Sequence, residues 1–410
     1  MRITNEKLGN IIETLTDYHA NGSYERLKEN VELLSAENYA VMIRTTNFSQ
    51  NNFNENLNYI TESAYNYLKK SKVYAGDIVM NKIADAGACY FMPEIRKPVS
   101  LGMNLFLIRI NKQLANSFFI FSYLKFHEFY VKSFASGSAT KTITKEDVRK
   151  LKVYLPKLGE QNKIANILRT WDKAIRTTER LIDNSKQQKK ALMQQLLTGK
   201  KRLLDDSGKP FDDKWGEHIL DQVFTFKRGK DLSKGLLSKE GRNKCILYGE
   251  LYTRYSEIIH KVFSRTDSDK GTLSCMGDIL FPSSTTTYGI DLANATAILE
   301  DNVLLGGDII ILRPKIELSP NFISHILTHV KKYEIAALAQ GITIIHLYAS
   351  DLKCLKVTFP KDIKEQQKIA AILTSTDKEI ELLEEQLVAL KQEKKALMQQ
   401  LLTGKRRVKI

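Results

Sequence analysis

The feature that most constrains this chain is a long internal repeat. The dodecapeptide KKALMQQLLTGK occupies Lys189–Lys200 and recurs at Lys394–Lys405, an offset of 394 − 189 = 205 residues in a chain of 410. At that offset, Glu160–Leu203 and Glu365–Val408 are identical at 26 of 44 positions. Solenoid repeats have periods of roughly 20–50 residues, so this repeat is far too long to be one. The sequence therefore predicts two copies of one unit, related by pseudo-twofold symmetry.

Apolar residues in the repeated segments recur at alternating steps of three and four, which is the heptad pattern of a coiled coil. The first copy of this seam comprises Ile164, Leu168, Trp171, Ile175, Ile182, Leu192 and Leu196. The second copy comprises Ile369, Leu373, Ile380, Leu383, Leu387, Leu390, Leu397 and Leu401. Because the two stripes are unequal, we expect the two helices to pack against each other. A coil that only dimerises with another chain is the alternative.

The repeated segments also carry signals for their length and ends. A helix of about 38 residues spans roughly 57 Å at 1.5 Å per residue, which exceeds one turn of DNA at about 34–36 Å. We therefore expect the helices to act as spacers. Gly199 and Gly404 follow the last apolar residues, where a left-handed C-terminal cap is expected. The basic run Lys200, Lys201 and Arg202 is a candidate contact for DNA phosphates or a partner.

The segments between the repeats share a set of short motifs at matched positions but little other sequence identity. Gly76–Val79 corresponds to Gly277–Leu280 at an offset near 204, among several such matches. Short β-branched runs predict strands, and Ser117–Phe134 and Asn321–Ala339 predict helices of four to five turns. The fold class is therefore α+β, with two mixed α/β modules separated by two long helices. The predicted domains are residues 1–158, a spacer helix at 159–202, residues 203–363, and a second spacer helix at 364–410.

Composition narrows the partners. Lys plus Arg exceed Asp plus Glu by 62 − 47 = 15, with pI ≈ 9.3, which favours a polyanionic partner such as nucleic acid or an anionic membrane. The four cysteines, Cys89, Cys245, Cys275 and Cys354, are scattered without a CxxC pair, which is typical of a reducing cytosol. The N-terminal residues lack the apolar core of a signal peptide, and no apolar run reaches 18 residues. We expect a cytoplasmic protein without a membrane span.

Loops rich in hydroxyl, amide, aromatic and cationic groups are the candidate DNA contacts, because hydroxyls bind phosphate and cationic or amide side chains bind base edges. In the first module these candidates are Arg44, Thr45, Asn47, Asn81, Lys82, Ser138 and Lys141. In the second module they are Arg228, Tyr248, Thr253, Arg254, Tyr255, Ser283, Ser284, Thr285, Thr286, Thr287 and Tyr288. For any single residue, an ordinary solvated turn is the alternative.

Motifs for catalysis are missing. No Pro-Pro pair occurs, so the Asn/Asp-Pro-Pro-aromatic loop of amino-methyltransferases is absent, and Gly199-Lys200 lacks the remainder of a phosphate-binding loop. His325 and His329 are four residues apart on a predicted helix, but no third ligand lies nearby in the sequence. A packing or surface role is expected for this histidine pair. The sequence therefore predicts no catalytic residue, no metal site and no cofactor in this chain.

Together these features resemble the specificity subunit of type I restriction–modification enzymes. The resemblance is carried by the two Glu-Gln-x-Lys-Ile-Ala-x-Ile-Leu helix starts, Glu160–Leu168 and Glu365–Leu373, and by the twin Lys-Ala-Leu-Met-Gln-Gln-Leu-Leu-Thr-Gly-Lys ends. Tyr248–Tyr255 and Gly76–Met80 also look like that family's target-recognition domains. The match covers essentially the whole chain in the order recognition domain, helix, recognition domain, helix.

The resemblance implies a sequence-specific DNA-binding subunit without catalysis of its own. Each target-recognition domain would bind one half of a bipartite, asymmetric site on double-stranded DNA. An antiparallel pair of helices would set the gap and dock two methyltransferase subunits, which carry S-adenosylmethionine and methylate adenine. Two motor–nuclease subunits using ATP and Mg²⁺ would complete a site-specific endonuclease, and the chain is not expected to homo-oligomerise. The alternative is a stand-alone DNA-binding regulator that dimerises through its coiled coil.

Overall fold

The computed structural model describes residues 5–211 and 213–409. Residues 1–4, at the start of the first predicted module, and residues 212 and 410 lie outside the described part. The chain forms two compact units, the first made of Met1–Glu179 with Gln386–Ile410 and the second of Arg180–Glu385. Across the described residues, no helix combines the length and the apolar character that crossing a membrane requires.

The first unit contains short strands, short helices and the start of a long helix. Its strands are β1 (Asn5–Lys7), β2 (Ile12–Asp17), β3 (Ala40–Ile43), β4 (Asn58–Ile60), β5 (Lys72–Val73), β6 (Ile78–Asn81), β7 (Cys89–Phe91), β8 (Val99–Leu101), β9 (Leu105–Ile110) and β10 (Lys152–Tyr154). Its helices are α1 (Tyr24–Asn30), α2 (Thr45–Ser49), α3 (Glu62–Tyr67), α4 (Ser117–Phe126), α5 (Glu128–Lys132), α6 (Lys145–Lys150) and α7 (Leu158–Leu196), the last of which continues into the second unit. Single 3₁₀ turns lie at Leu8–Asn10, Tyr18–Asn21 and Lys69–Ser71.

The second unit repeats this composition. Its strands are β11 (Gly216–Ile219), β12 (Phe224–Arg228), β13 (Asn243–Ile246), β14 (Ile258–Ile259), β15 (Ser264–Thr266), β16 (Thr272–Leu273), β17 (Ile279–Pro282), β18 (Ser284–Thr285), β19 (Thr296–Ile298), β20 (Leu304–Leu305), β21 (Ile309–Pro314), β22 (Ile345–His346) and β23 (Lys356–Phe359). Its helices are α8 (Leu220–Val223), α9 (Glu250–Thr253), α10 (Pro320–His325), α11 (Lys332–Ala337), α12 (Ala349–Lys353) and the start of α13 (Ile363–Leu401). A π-helical turn lies at Ile326–Val330, and 3₁₀ turns lie at Lys234–Leu236 and Gly289–Ala293.

The two units share one sheet topology. In the first unit the sheets have the orders β2-β9-β6-β7 and β4-β3-β8-β5, and in the second they have the orders β12-β21-β17-β19-β14 and β15-β13-β20-β16. The parallel neighbours are β3–β8 in the first unit, and β13–β20 and β14–β19 in the second. Apart from the added edge strand β14, the orders match strand for strand. The prediction of two mixed α/β modules built on the same scaffold is confirmed.

The short motifs shared by the two modules form the same turn and the same ion pair in each unit. Asp77 Oδ1 and Oδ2 accept hydrogen bonds of 2.9 and 2.7 Å from Arg109 Nε and Nη2. Asp278 accepts from Arg313 with the same two distances, 2.9 and 2.7 Å. The preceding glycines have φ of 90° and 93°, a backbone conformation that favours glycine. Residues matched in sequence therefore hold equivalent places in the two units.

Each unit packs its sheets against one half of each long helix. In the first unit the core joins Phe106 of β9 and Phe119 of α4 to Ile164 and Leu168 of α7 and to Leu401 of α13. The core of the second unit is built in the same way, from Phe281, Phe322, Leu196, Ile369 and Leu373. Burying a side chain of this size contributes about 1.5–3 kcal/mol. Both helices are thus part of both cores.

Salt bridges within each unit show that α7 and α13 run antiparallel. In the first unit Asp172 pairs with Lys394 at 2.5 Å and Glu179 with Lys391 at 2.8 Å. In the second unit Lys186 pairs with Glu384 at 2.6 Å and Lys189 with Asp377 at 2.5 Å. In each unit, the salt-bridge partner on α13 has a lower residue number when the partner on α7 has a higher one. Each pair in one unit also has its counterpart in the other at an offset of 205 residues.

The heptad seam lies away from solvent along both long helices. Its buried members are Ile164, Leu168, Ile182, Leu196, Ile369, Leu373, Ile380 and Leu401. Its half-buried members are Trp171, Ile175, Leu192, Leu383, Leu387, Leu390 and Leu397. The polar residues Thr178 and Ser185, which interrupt the seam, are also buried. Large apolar residues that are exposed on these helices include Leu181, Leu382 and Val388, which lie off the seam.

Each long helix ends in a left-handed glycine, and the chain then turns back to bind a buried carboxylate. Gly199 and Gly404 have φ of 68° and 70°, which confirms the expected caps. Arg202 Nε and Nη2 donate to Glu365 at 2.6 and 2.7 Å. Arg407 makes the equivalent pair with Glu160 at 2.7 and 2.5 Å. Arg202 belongs to the basic run that is a candidate contact for DNA or a partner, and its guanidinium also holds the first turn of α13.

The prediction of two uninterrupted helices in the modules is wrong. The first segment breaks between α4 and α5 at His127, whose φ and ψ of −99° and 31° are not helical. The second breaks between the π-helical turn and α11 at Lys331, with φ and ψ of −95° and 5°. Apolar periodicity continues through both breaks, because the short helices on either side pack on the same core. The apolar pattern therefore gives no sign of the break in helical backbone conformation.

Candidate nucleic-acid interface

In the first unit, three loop segments that were predicted separately come together. Thr45, directly after β3, donates from Oγ1 to Asn81 Oδ1 at the end of β6, at 2.9 Å. The next residue, Lys82, accepts a backbone hydrogen bond from Ile143 N at 3.0 Å. Ala84 N donates to the carbonyl oxygen of Lys141 at 3.1 Å. The carboxyl ends of β3 and β6 and the 136–142 loop therefore form one continuous surface.

The candidates on this surface differ in whether their side chains are free to meet a ligand. Arg44, Ser138 and Lys141 are exposed. Asn47 is buried, and its side chain accepts from Arg44 N at 2.8 Å and donates to the Asn52 carbonyl at 3.2 Å. Asn81 is also buried and donates to the Tyr90 hydroxyl at 3.3 Å. The two asparagines therefore shape the loops, while the exposed residues form the outer surface.

Lys82 shares one buried carboxylate with a second lysine. Asp17 Oδ2 lies 3.0 Å from Lys82 Nζ, and Asp17 Oδ1 lies 2.9 Å from Lys145 Nζ. Burial alone would raise the pKa of Asp17, but the hydrogen bonds and charges of Lys145 and Lys82 outweigh burial and lower it. Two cations on one anion leave a net positive charge at this surface. Lys145 was not among the predicted contacts, because only the fold brings it to Asp17, which lies 128 residues earlier.

In the second unit, the predicted hydroxyl run divides into a buried and an exposed part. Ser283, Ser284 and Thr285 are buried, and β18 pairs with β22. Thr286, Thr287 and Tyr288 are exposed. Thr287 hydrogen-bonds to Asp291, and the side chain of Tyr288 is largely open to solvent, at 74% exposure. The run is thus a short strand followed by a projecting loop.

Four of the five remaining candidates of the second unit meet at Asp308 or at the groove that Asp308 lines. Arg228 Nη2 donates to Asp308 Oδ1 at 3.0 Å, and Ser283 N donates to the Asp308 carbonyl at 2.8 Å. Tyr248, Thr253, Arg254 and Asp308 all line one open groove of about 1180 Å³. Candidates far apart in sequence therefore meet at one place, as in the first unit.

Tyr255 does not line this groove, although it adjoins Arg254 in sequence. Its side chain is buried, and its hydroxyl accepts a hydrogen bond from Phe263 N at 3.2 Å. Arg254 lies over the Phe263 ring at 4.9 Å and pairs with Glu250 at 3.2 Å. The ring of Phe263 and the carboxylate of Glu250 therefore hold the arginine at the groove, where its side chain is 48% exposed.

One loop was missed by sequence reasoning although its signal was present. Gly137 and Gly341 lie 204 residues apart, the offset that relates the two modules, and both have left-handed φ, of 120° and 127°. Only the loop after Gly137 was taken as a candidate. The corresponding loop of the second unit carries the exposed apolar residues Ile342 and Ile344. The two units therefore present basic and apolar chemistry, respectively, at the same place on one scaffold.

No third ligand for His325 and His329 lies nearby in the sequence, but the fold brings one close in space. Glu257, 68 residues before His325, brings a carboxylate into contact with His329 Nε2. Burial alone would raise the pKa of Glu257, but His329 and other positive neighbours lower it well below its ordinary range. Burial also lowers the pKa of His325 to about 4, so its imidazole is neutral. Pairing through the fold, which sequence spacing does not show, assembles this cluster.

Comparisons with known proteins place the chain in a family. A family model described as "Type I restriction modification DNA specificity domain" matches residues 12–185 and again residues 212–392. Two type I restriction enzyme specificity subunits of Methanocaldococcus jannaschii are similar. MjaX is 25% identical over 373 residues, covering 86% of this chain and 84% of that protein. MjaVIII is 26% identical over 312 residues, covering 72% of each.

A solved structure shares the fold along the whole chain. The crystal structure of a type I restriction–modification S subunit from M. genitalium superposes with a TM-score of 0.61 at 16% identity, covering 98% of this chain and 96% of that one. The two matched segments each contain one sheet-bearing module and most of one long helix. This agrees with the internal repeat and with the shared sheet topology. The chain belongs to the family of type I restriction modification DNA specificity domains, with one copy of the domain in each half.

Proposed function

We propose that each unit of this specificity subunit binds one half of a bipartite, asymmetric DNA site, and that the two long helices set the unread gap. DNA target recognition is the function of the family to which the chain belongs, and specificity subunits are non-catalytic components of type I restriction–modification complexes. The proposal concerns how this chain performs that recognition.

One observation carries the proposal. The same strand order is repeated in the two units, yet the loops at equivalent strand ends carry different side chains. A shared scaffold predicts that both units approach DNA in the same way, whereas different loops predict different base preferences. Two dissimilar half-sites, and hence an asymmetric target, follow from this combination.

The chemistry of the two surfaces supports contact with DNA. In the first unit Arg44, Lys82, Lys141 and Lys145 contribute positive charge beside the hydroxyl of Ser138. Cationic and hydroxyl groups supply most protein contacts to phosphate, and arginine also forms paired hydrogen bonds with guanine. The formal net charge of +15 adds a favourable long-range attraction. Affinity should therefore fall steeply with salt.

The second surface has its own set of groups. Arg228, Tyr248, Thr253 and Arg254 gather around Asp308, and the exposed Thr286 and Tyr288 lie in the loop that follows β18. An arginine held over an aromatic ring loses less conformational freedom on binding than a free arginine. Arg254, stacked on Phe263, is therefore the side chain of this unit best prepared to donate to a base edge.

The helix pair weakens the alternative of a regulator that dimerises through its coil. Such a regulator needs a free apolar seam, but the seam residues of α7 and α13 are already buried or half-buried in the single chain. The exposed Leu181, Leu382 and Val388 lie off the seam and are suited to binding another protein. We propose that these outer faces dock two methyltransferase subunits, and that the chain itself stays monomeric within the complex.

The proposed partners supply the chemistry. The methyltransferase subunits would bind S-adenosylmethionine and methylate adenine, and two motor–nuclease subunits with ATP and Mg²⁺ would add cleavage. Purified chain alone should therefore show no methylation of DNA, and co-expression with the methyltransferase should yield a complex of two methyltransferases per chain. Methylation by the purified chain without partners would contradict the proposal.

A module exchange tests recognition directly. Residues 1–158 are replaced by the corresponding module of another family member, and methylome sequencing identifies the modified motif in cells that also express the methyltransferase. We expect one half-site to change while the other half-site and the gap stay the same. The reciprocal exchange of residues 203–363 is the matched control and should change only the other half. A change of both halves after either exchange would refute independent recognition by the two units.

A further inference from the structure

The histidine pair and its acidic partner form a compact cluster that DNA recognition does not use. The ligand atoms of Glu257, His325 and His329 all lie within 4.8 Å of one another. The two imidazole rings are nearly parallel, with an interplanar angle of 20° and centroids 5.9 Å apart. A carboxylate oxygen and two ring nitrogens therefore converge on one small volume in the second unit.

The backbone is shaped locally to bring the cluster together. His325 ends α10, and His329 lies in the π-helical turn that follows. Isolated π turns are rare and occur frequently at functional sites. Glu257 directly precedes β14 and is anchored there by its carbonyl, which accepts from Ala297 N at 2.8 Å. An edge-strand segment and a distorted helix thus meet at these three side chains.

His325 has no hydrogen-bond partner that would explain its burial. Its side chain is fully buried, at 0% exposure, and among the described residues neither Nδ1 nor Nε2 has a hydrogen-bond partner. Leaving a buried polar atom unpaired costs about 1–3 kcal/mol. The contact between His329 and Glu257 accounts for those two residues but leaves His325 unexplained. A group that accepts the lone pair of one ring nitrogen of His325 would satisfy that nitrogen and remove part of the cost.

We propose that Glu257, His325 and His329 bind one divalent transition-metal ion of the zinc class. Two imidazoles and one carboxylate are a ligand set that zinc takes in proteins, whereas Ca²⁺ and Mg²⁺ prefer oxygen ligands alone. The side chain of His329 is partly exposed, which provides a route for the ion and a place for a water ligand. The ion clips the segment before β14 to the α10 region and stabilises the second unit.

The site is particular to the second unit. At the offset of 204 residues that relates the modules, Phe121 and Lys125 stand where His325 and His329 stand. Phe121 packs instead against Phe91 and Phe118, with ring centroids 5.4 and 5.9 Å away. The first unit thus fills the same region with aromatic side chains. One ion per chain is therefore expected, and its binding does not depend on DNA.

Metal binding to the full-length chain tests the proposal. The protein is stripped with a chelator, titrated with ZnCl₂, and analysed for bound metal by mass spectrometry and for thermal unfolding. We expect one tightly bound zinc per chain and an unfolding temperature that rises with zinc. Cobalt as a probe should give visible d–d bands without the charge-transfer band of a thiolate ligand. Failure to bind one equivalent of either metal would overturn the proposal.

Two conservative variants and one control identify the ligands. Glu257→Gln and His329→Gln should each weaken zinc binding by about 100-fold, since a lost ligand costs at least as much as a lost supporting contact. His260→Gln, an exposed histidine close in sequence to Glu257, should bind zinc as the wild type does. Circular dichroism of the metal-free proteins shows whether each variant folds, and if Glu257→Gln does not, the partly exposed His329 decides. Unchanged zinc affinity in the folded variants would place the metal elsewhere and refute the site.

Discussion

Removing Arg407 should selectively destabilise the first unit, because this arginine neutralises a carboxylate that solvent cannot reach. The side chain of Glu160 is 2% exposed and accepts two hydrogen bonds from Arg407, at 2.7 and 2.5 Å. In an Arg407→Gln variant the carboxylate keeps the hydrogen bond that it accepts from Val408 N at 3.2 Å. The substitution thus leaves a buried charge largely uncompensated at the start of α7.

The expected loss of stability depends on the burial of Glu160 and on the partial exposure of Arg407. Removing one partner of a buried ion pair costs about 3–5 kcal/mol, and the partial exposure of Arg407 favours the lower end, about 3 kcal/mol. Domains unfold with total free energies of about 5–15 kcal/mol, so a loss of this size is a large share. In hydrogen exchange, 3 kcal/mol corresponds to about 100-fold faster opening.

The chain provides a matched control. Arg202 makes the equivalent two-bond pair with Glu365, whose side chain is 0% exposed, in the second unit. Hydrogen exchange measured by mass spectrometry resolves the two units separately, so a two-state assumption for the whole chain is unnecessary. Arg407→Gln should accelerate exchange in the first unit and Arg202→Gln in the second. Arg406→Gln, an exposed neighbour, should change neither.

The dependence on pH has a defined sign. The hydrogen bonds from Arg407 hold the pKa of Glu160 below its ordinary value of 4.5. A lowered folded-state pKa stabilises the fold above the unfolded value, and this contribution is lost as pH falls through the folded pKa. The difference between wild type and Arg407→Gln should therefore be full near pH 7. It should shrink as pH falls, first because the variant protonates its unpaired Glu160, and it should level off once pH has passed through the lowered pKa of Glu160 in the wild type.

Two results would refute this reasoning. One is a loss below about 1 kcal/mol in Arg407→Gln, the value of an ordinary surface pair. The other is a double variant, Glu160→Gln with Arg407→Gln, that is as unstable as the single one. Replacing both partners removes the buried charge and should recover most of the loss. A full loss in the double variant would mean that the packing of the arginine, and not its charge, stabilises the helix start.

Three further predictions concern the caps, the helices and the DNA surface. Gly404→Ala should lower the free energy of unfolding by about 1–2 kcal/mol in thermal unfolding, because its φ is 70° and a Cβ would lie 2.9 Å from Tyr154. The control Gly235→Ala, which has open space around it, should leave the free energy of unfolding unchanged. A heptad inserted after Glu179 and another after Glu385 keep the salt-bridge register within each unit and lengthen both helices by about 10 Å. Methylome sequencing should then show a gap longer by up to about three base pairs, with unchanged half-sites. An unchanged gap would refute the spacer role. Lys141→Gln should weaken DNA binding and lower the salt slope by about one, measured by fluorescence anisotropy across salt concentrations, while Lys378→Gln on α13 should leave the slope unchanged.

Much of the fold could be predicted because the repeat supplies its own internal comparison. The heptad spacing predicted long paired helices, and α7 and α13 each span 39 residues and run antiparallel within each unit. Glycine and aspartate at matched places predicted a common scaffold, and Asp77 and Asp278 hold equivalent arginines. Such features are local in sequence, or are repeated at one fixed offset. Pattern analysis detects both kinds directly.

The remainder depends on contacts between distant residues. The Glu257 carboxylate reaches His329 across 72 residues, and the π-helical turn that places His329 has no pattern of its own. Asn47 and Asn81 have the composition of DNA-binding side chains, but hydrogen bonds to the loops occupy them. Composition identifies which groups are available, and only the fold determines which of them face solvent. This is why candidate loops were easier to name than individual contact residues.

Residues repeated at the fixed offset and exposed loop residues should respond differently to substitution. The groups repeated at the fixed offset are internal: Arg202 and Arg407 bind buried carboxylates, and Gly199 and Gly404 close the helices. Changing any of them should alter the stability of one unit without changing the groups proposed to face DNA. The exposed loop residues have no counterpart of like chemistry in the other unit, so changing them should alter which bases are bound while stability stays within about 0.5 kcal/mol. A duplicated frame thus allows one half-site to vary without affecting the other.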